Sequence, residues 1–280
     1  ANVLGKKAVE ATGVKPAVAA VPGVPVAFFS LEADPREIER RIKFAMMSNR
    51  VHESTARGDV IPRMSYQSWM RGMSEDIVST HNMHADRVFL ERYGLLHTYY
   101  RAVDFGYADL RSAIKEVADH VRLIVIDHLH YIDIEDDNEA RGISDTMKML
   151  RDMSIIYGKP ILLVAHLRKR NFGSKQIVAE LDDFHGSSNI VKQATHAICL
   201  DRAKAIDPNQ WWLSPTYCSV LKDRRGGEAG YVALTNYNRV TKSYQGSYTL
   251  GRLTKGDTVW EEVPNHMLPP WAKRHISAGN

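Results

Sequence analysis

Residues 121–133, VRLIVIDHLHYID, constrain this chain more than any other stretch. An apolar run rich in β-branched residues stops on Asp127, and His128 and more apolar residues follow. Such a run reads as a strand buried on both faces, the central parallel kind, with its carboxylate at the C-terminal edge. Open α/β sheets bind ligands at that edge. An acid in that position also caps the turn that follows a strand, so the neighbouring segments must decide between the two uses.

Those segments repeat the pattern. VAFFSLE, residues 26–32, is a second buried strand ending on an acid, Glu32, and Asp34-Pro35 opens a helix to about Asn49. Its acids come early and Arg40, Arg41 and Lys43 later, as the helix dipole prefers. Glu32 can therefore also serve as an acid near that helix's N-terminus. Residues 51–93 are polar and mostly helical, 95–103 form a strand, and 105–120 lead through a helix into the opening stretch. Residues 143–157 are amphipathic, Gly158-Lys159-Pro160 ends them, and PILLVAH is a strand stopping on His166. The alternation predicts an α/β fold. Residues 167–183 read as a long polar loop, 187–194 as a helix and HAICLD as a strand. TYCSVLK, AGYVALTNY and GSYTLGRL, separated by glycines, read as β-strands that close the sheet with antiparallel hairpins. The tail from Pro264 reads as a loosely attached extension.

At 280 residues, 44% hydrophobic and 25% charged, the chain has enough apolar surface for one generous α/β domain or two small ones, and one domain with extensions is expected. The expected division is 1–250 for that core and 251–280 for a C-terminal extension. Cys199 and Cys218 lie in apolar β-like runs and in no CxxC, so neither a disulfide framework nor a thiolate metal site is expected, and a reducing interior is. No stretch approaches the ~20 apolar residues of a membrane span. An intracellular location, the cytoplasm or an organelle matrix, is expected. A net charge of +4 permits a polyanionic partner without requiring one. The twelve histidines show no metal-ligand spacing of the HExxH type.

Several of these segments, in this order, resemble the RecA-like ATPase core of DnaB-family hexameric replicative DNA helicases and their phage and mitochondrial relatives. The resemblance covers roughly residues 1–244. FFSLEADPREIERRI is similar to the family's strand and helix after the P-loop helix, LIVIDHLHYI to its Walker B strand, and ISDTMKMLRDMSIIYGKPILLVAHLRK to the helix and strand ending on a γ-phosphate sensor. DDFHGSSNIVKQATHAICLDR resembles the stretch beside its DNA-gripping loop, and VLKDRRGGEAG its Lys-x-Arg followed by a glycine turn. The implied fold is an α/β P-loop NTPase fold of RecA type: a mostly parallel central sheet with helices on both faces and antiparallel C-terminal strands. GxxxxGK[ST] is absent, and Gly5-Lys6-Lys7 imitates only its end. The expectation is truncation just after the Walker A motif, with the P-loop and first strand upstream of Ala1; degeneration to a nucleotide-blind scaffold is the rival reading.

The resemblance implies ATP, or another NTP, with Mg2+ as cofactors, and an ATPase that drives helicase movement. It assigns Glu32 to polarising the attacking water, Asp127 to magnesium, and His166 to sensing the γ-phosphate, a residue closer to the phage and mitochondrial branch than to the bacterial Gln. Lys222 and Arg224 become cations reaching the phosphates of ATP held by the neighbouring subunit, which implies a homo-oligomer, a hexameric ring by family expectation. A solvated basic turn with Arg225 is the alternative for that pair. Single-stranded DNA is the expected polymer, with a primase or helicase loader as a further partner. Arg168, Lys169, Arg170 and Lys175, with Phe172 available to stack, are the candidates for gripping it. A RecA/RadA-type recombination ATPase and a non-hydrolysing DNA-binding scaffold stand as alternatives for the whole chain.

Charge reversal in this loop tests the assignment. Lys169→Glu with Arg170→Glu weakens single-stranded DNA binding at low salt, read by fluorescence anisotropy, and unchanged affinity removes the loop from the DNA path.

Overall fold

The computed structural model describes residues 23–55, 65–72, 76–92, 95–100, 105–133, 139–168, 177–184, 188–203, 208–227, 229–244, 247–254, 258–270 and 272. Gly5-Lys6-Lys7 and the loop cations Lys169, Arg170 and Lys175 lie outside them. The chain divides into two compact units, one of residues 1–43 and 79–166, the other of 44–78 and 167–280.

The first unit is built on parallel strands β1 (Val26–Ser30), β2 (Leu96–Tyr99), β3 (Leu123–Asp127) and β4 (Ile161–Leu163). Their spatial order is β2-β1-β3-β4. β3 is flanked on both sides, and Ile124 and Ile126 are almost wholly buried, which is why its sequence runs apolar without alternation. In chain order between these strands come α1 (Pro35–Thr55), α2 (Tyr66–Met70), α3 (Asp76–Arg92), α4 (Tyr107–Val117) and α5 (Glu139–Tyr157); α2, α1 beyond Lys43 and the start of α3 up to Val78 belong to the second unit. α4 buries Leu110, Ile114 and Val117, and α5 buries Ile143, Met147, Leu150 and Met153, each at one-turn spacing. Phe29 of β1 stacks on Tyr99 of β2 with ring centroids 4.8 Å apart. Gly158, at φ +61°, ends α5, and the Lys159 amide reaches back to the Ser154 carbonyl at 3.2 Å, the six-to-one bond of a glycine-terminated helix.

The second unit is antiparallel. It holds α6 (Ser188–Gln193) and strands β5 (His196–Arg202), β6 (Leu213–Asp223), β7 (Tyr231–Asn238), β8 (Ser243–Tyr244), β9 (Thr249–Thr254) and β10 (Val259–Glu262). The order is β10-β9-β7-β6-β5, with β8 on β7. These strands, expected to close the parallel sheet, pair among themselves in the described residues, so the α/β class holds while the single sheet becomes two. The hairpin alternation carries enough backbone pairing to satisfy itself without a parallel neighbour. Two strands, β8 and β10, have no counterpart in the sequence reading; both are short and lack a glycine-bounded apolar run.

The tail is also better anchored than expected. Val263, Leu268 and Ala272 pack with Leu250 in one buried cluster, bordered by Tyr231, Ala233 and Tyr248. At Gly251 the Trp260 side chain covers the backbone, and a Cβ there would lie 2.6 Å from the Glu261 carbonyl oxygen. The Trp260 indole N–H donates to the Val232 carbonyl at 3.1 Å. Among the described residues no helix is long and apolar enough to cross a membrane.

Two substitutions probe these cores. Ile126→Ala removes a fully buried side chain and costs about 2–5 kcal/mol in urea unfolding, whereas Ile198→Ala, on an exposed side chain, stays within ~0.5 kcal/mol. Gly251→Ala forces Trp260 off the strand and exposes its fluorescence to quenchers; unchanged quenching would contradict this packing.

Candidate functional site at the C-terminal edge of the parallel sheet

The register of β1 against β3 builds the site. Ser30 is opposite Asp127, and the Leu31 amide donates to the Asp127 carbonyl at 2.8 Å, so the two strands end together. β4 joins them through Val164, whose amide donates to Ile126 at 2.9 Å and whose carbonyl accepts from Leu129 at 3.0 Å. The residues just past the three strand ends, Glu32, His128 and His166, therefore share one edge. Asp127 is the last residue of β3 and is half-buried.

Glu32 is exposed on the bend after β1. Capping of α1 falls to Asp34, whose carboxylate accepts from the Glu37 amide at 3.0 Å. Glu32 thus has no capping duty, and His128 Nε2 lies 3.7 Å from Glu32 Oε2. His128 is 2% exposed, and its Nε2 has no hydrogen-bond partner among the described residues. Its Nδ1 accepts from the His130 amide at 3.3 Å. The His166 ring lies over His128 at a centroid separation of 4.0 Å, and Tyr131 meets His128 edge-on at 4.7 Å. One ligand-type atom from each of Glu32, His128 and His166 falls within 4.8 Å of the others.

Burial, then the neighbouring His166, holds the His128 pKa below its ordinary value, with Glu32 and Asp127 opposing and His130 adding to the fall. His128 is accordingly neutral at neutral pH. The peptide between Asp127 and His128 is cis. A 3₁₀ turn, Leu129–Tyr131, follows at once, and Asp133 ties it down by accepting from the Phe105 amide at 2.8 Å. Sequence reasoning identified Glu32, Asp127 and His166 but gave His128 no part. The D-H-L-H spelling was the available signal, and nothing in its spacing distinguishes a buried ring beside a carboxylate from a solvent-facing one.

The other expected site residues belong to the second unit. Lys222 donates from Nζ to the carbonyls of Val191 and of Lys192, the latter at 3.3 Å. Arg224 donates to the Lys192 carbonyl at 3.1 Å. Both cations therefore sit on the open carbonyls at the C-terminus of α6, as the helix dipole favours. Arg225 is exposed, in a turn whose Asp223 carboxylate accepts from the Arg225 and Gly226 amides at 3.1 and 2.9 Å. Lys222 and Arg224 are thus held together, whereas Arg225 faces solvent. Arg168 is exposed, its amide donating to the Asp183 carbonyl at 2.6 Å, where the Leu167–Phe184 bridge pins the start of the loop. Trp211 and Trp212 meet edge-on at 6.1 Å.

A family model, the DnaB-like helicase C-terminal domain, matches residues 2–245. No curated protein matches the chain. Among solved structures, an ATPase domain aligns at TM-score 0.62 and 14% identity, covering 79% of this chain and 74% of that one. A DnaB-like replicative helicase, solved in a study of its interactions with primase, aligns at TM-score 0.61 and 14% identity, covering 79% of this chain. The chain spans about half the length of that helicase, 50% of it. These likenesses show a RecA-like α/β fold.

The anchoring of Lys222 gives a stability measurement. Lys222→Met leaves two helix-terminal carbonyls without this donor and lowers stability by about 1 kcal/mol in urea unfolding; no change would mean that solvent serves α6 as well.

Proposed function

The chain belongs to the DnaB-like helicase C-terminal domain family, and from that premise we propose that it is the ATP-driven motor of a replicative DNA helicase. The observation that carries this reading is the shared sheet edge: the Ser30–Asp127 register sets Glu32 and Asp127 at the ends of adjacent parallel strands. That is where a doubly wound sheet receives its ligand.

The donor set fits a hard cation and a nucleotide. Mg2+ is held by one or two carboxylates together with substrate phosphates and waters, and Asp127, half-buried at a strand end, offers such a carboxylate. When bound, magnesium and nucleotide supply the terminal phosphoryl group and neutralise part of its charge. Glu32, exposed and not engaged as a cap, orients a water and accepts its proton. The water oxygen then bonds the terminal phosphorus as the bond to the leaving diphosphate oxygen breaks. His166, just past the end of β4, presents a ring N–H to the phosphoryl oxygens and carries the change on hydrolysis into the chain leading to Arg168.

Lys222 and Arg224 act in trans in this reading. Their hold on the α6 carbonyls presents two adjacent cations, and a neighbouring subunit's phosphates compete for the same N–H groups. The working assembly is a ring of copies of this chain, with single-stranded DNA gripped by Arg168, Lys169, Arg170 and Lys175. These 280 residues contain no GxxxxGK[ST] to cradle the phosphates, so activity is measured on the full-length gene product.

DNA-stimulated ATPase decides the matter. The full-length protein hydrolyses ATP faster with single-stranded DNA; Glu32→Gln abolishes turnover, and Arg224→Ala lowers kcat by ~10³-fold with monomer folding unchanged. Mixing Glu32→Gln and Arg224→Ala subunits restores part of the activity, because mixed interfaces include some with both residues intact. Absence of hydrolysis in the full-length protein would leave a DNA-binding scaffold.

A further inference from the structure

Glu32 needs something to aim it. A carboxylate on an exposed bend samples several rotamers, and a water-orienting acid misplaced by about an ångström loses on the order of 10²-fold in rate. Among the described residues, the buried titratable side chain beside it is His128, 2% exposed and boxed in by Tyr131 and His166. We propose that His128 is a positioning residue: its Nε2–H donates to the Glu32 carboxylate and fixes the direction in which Glu32 holds the attacking water. The proposal rests on the reading of Glu32 given above.

Three observations converge on this. The His130 amide donates to His128 Nδ1, so the neutral ring carries its proton on Nε2. That nitrogen is buried with no hydrogen-bond partner among the described residues, a costly state for a donor. The acceptor it faces is Glu32 Oε2 at 3.7 Å, about 0.7 Å beyond a normal hydrogen bond. Catalytic hydrogen bonds are commonly long before ligand binding and tighten in the substrate complex. Glu32 is the mobile partner here, on a bend, while His128 is fixed by packing. Ordering of the edge by nucleotide closes the distance from the Glu32 side. His128 keeps its proton throughout; nothing is transferred through it.

The same three side chains are spaced closely enough to suggest a transition-metal site. The tautomer argues otherwise. A histidine ligand offers an unprotonated nitrogen to the metal and donates from the other, whereas His128 accepts at Nδ1 and so presents N–H at Nε2.

The test uses the full-length protein with three variants. His128→Leu removes the donor and lowers kcat by about 10- to 100-fold while KM for ATP stays within about twofold, the pattern of an interaction that matters only in the transition state. His128→Gln places an N–H donor at nearly the same distance and recovers most of that loss. Glu32→Gln in the same preparation separates the premises: if it stays active, the reading of Glu32 fails, and if it is dead while His128→Leu is as active as the parent, only the positioning proposal fails. Circular dichroism and oligomer size confirm that each variant folds. Solid-state NMR of the 15N-histidine-labelled protein reads the tautomer directly, without activity. A neutral ring protonated at Nε2 is expected; protonation at Nδ1 overturns the proposal, as does stoichiometric Zn2+ binding that His128→Gln abolishes.

Discussion

The pairing of β1 with β3 is the constraint on which the candidate site depends. Because Ser30 lies opposite Asp127, both strands run out at the same level, and the next residues of each chain must turn at one edge. A one-residue slip would rotate every side chain of a strand to the other face. Burial makes such a slip costly: Val26, Ala27 and Phe29 on β1 and Ile124 and Ile126 on β3 are almost wholly shielded. The hydrophobic core thereby sets the position of a carboxylate that contributes nothing to it.

At that edge, local electrostatics divide the labour among groups that look alike in the sequence. Asp127 and Glu32 are both acids at strand ends, yet one is half-buried in the ladder and the other is exposed on a bend. His128 and His166 are both histidines beyond strand ends, yet the first is buried and the second exposed. Desolvation holds the buried ring neutral, so it can donate from Nε2 without adding positive charge.

The second unit handles its cations differently. Lys222 and Arg224 flank Asp223 in sequence, and both donate to carbonyls at the end of α6. Such contacts are modest in energy.

The strand and helix order was legible in the sequence because apolar runs and glycine stops report burial and chain reversal locally. β3, α5 and the β6–β7–β9 hairpins follow from them directly, and the motif order pointed to the family and to Glu32, Asp127, His166, Lys222 and Arg224. The pairing of β5–β10 into a sheet of their own was not legible, nor was the anchoring of the tail by Leu268 and Ala272, because both depend on which distant segment covers an apolar face. The burial of His128 beside Glu32 was not legible for the same reason. Sequence by itself determined which residues could be buried and where the chain could turn; only the tertiary structure decided which buried groups met. Burial is a property each residue carries in its own side chain, whereas a contact between Glu32 and His128 depends on a register set by β-strands nearly a hundred residues apart.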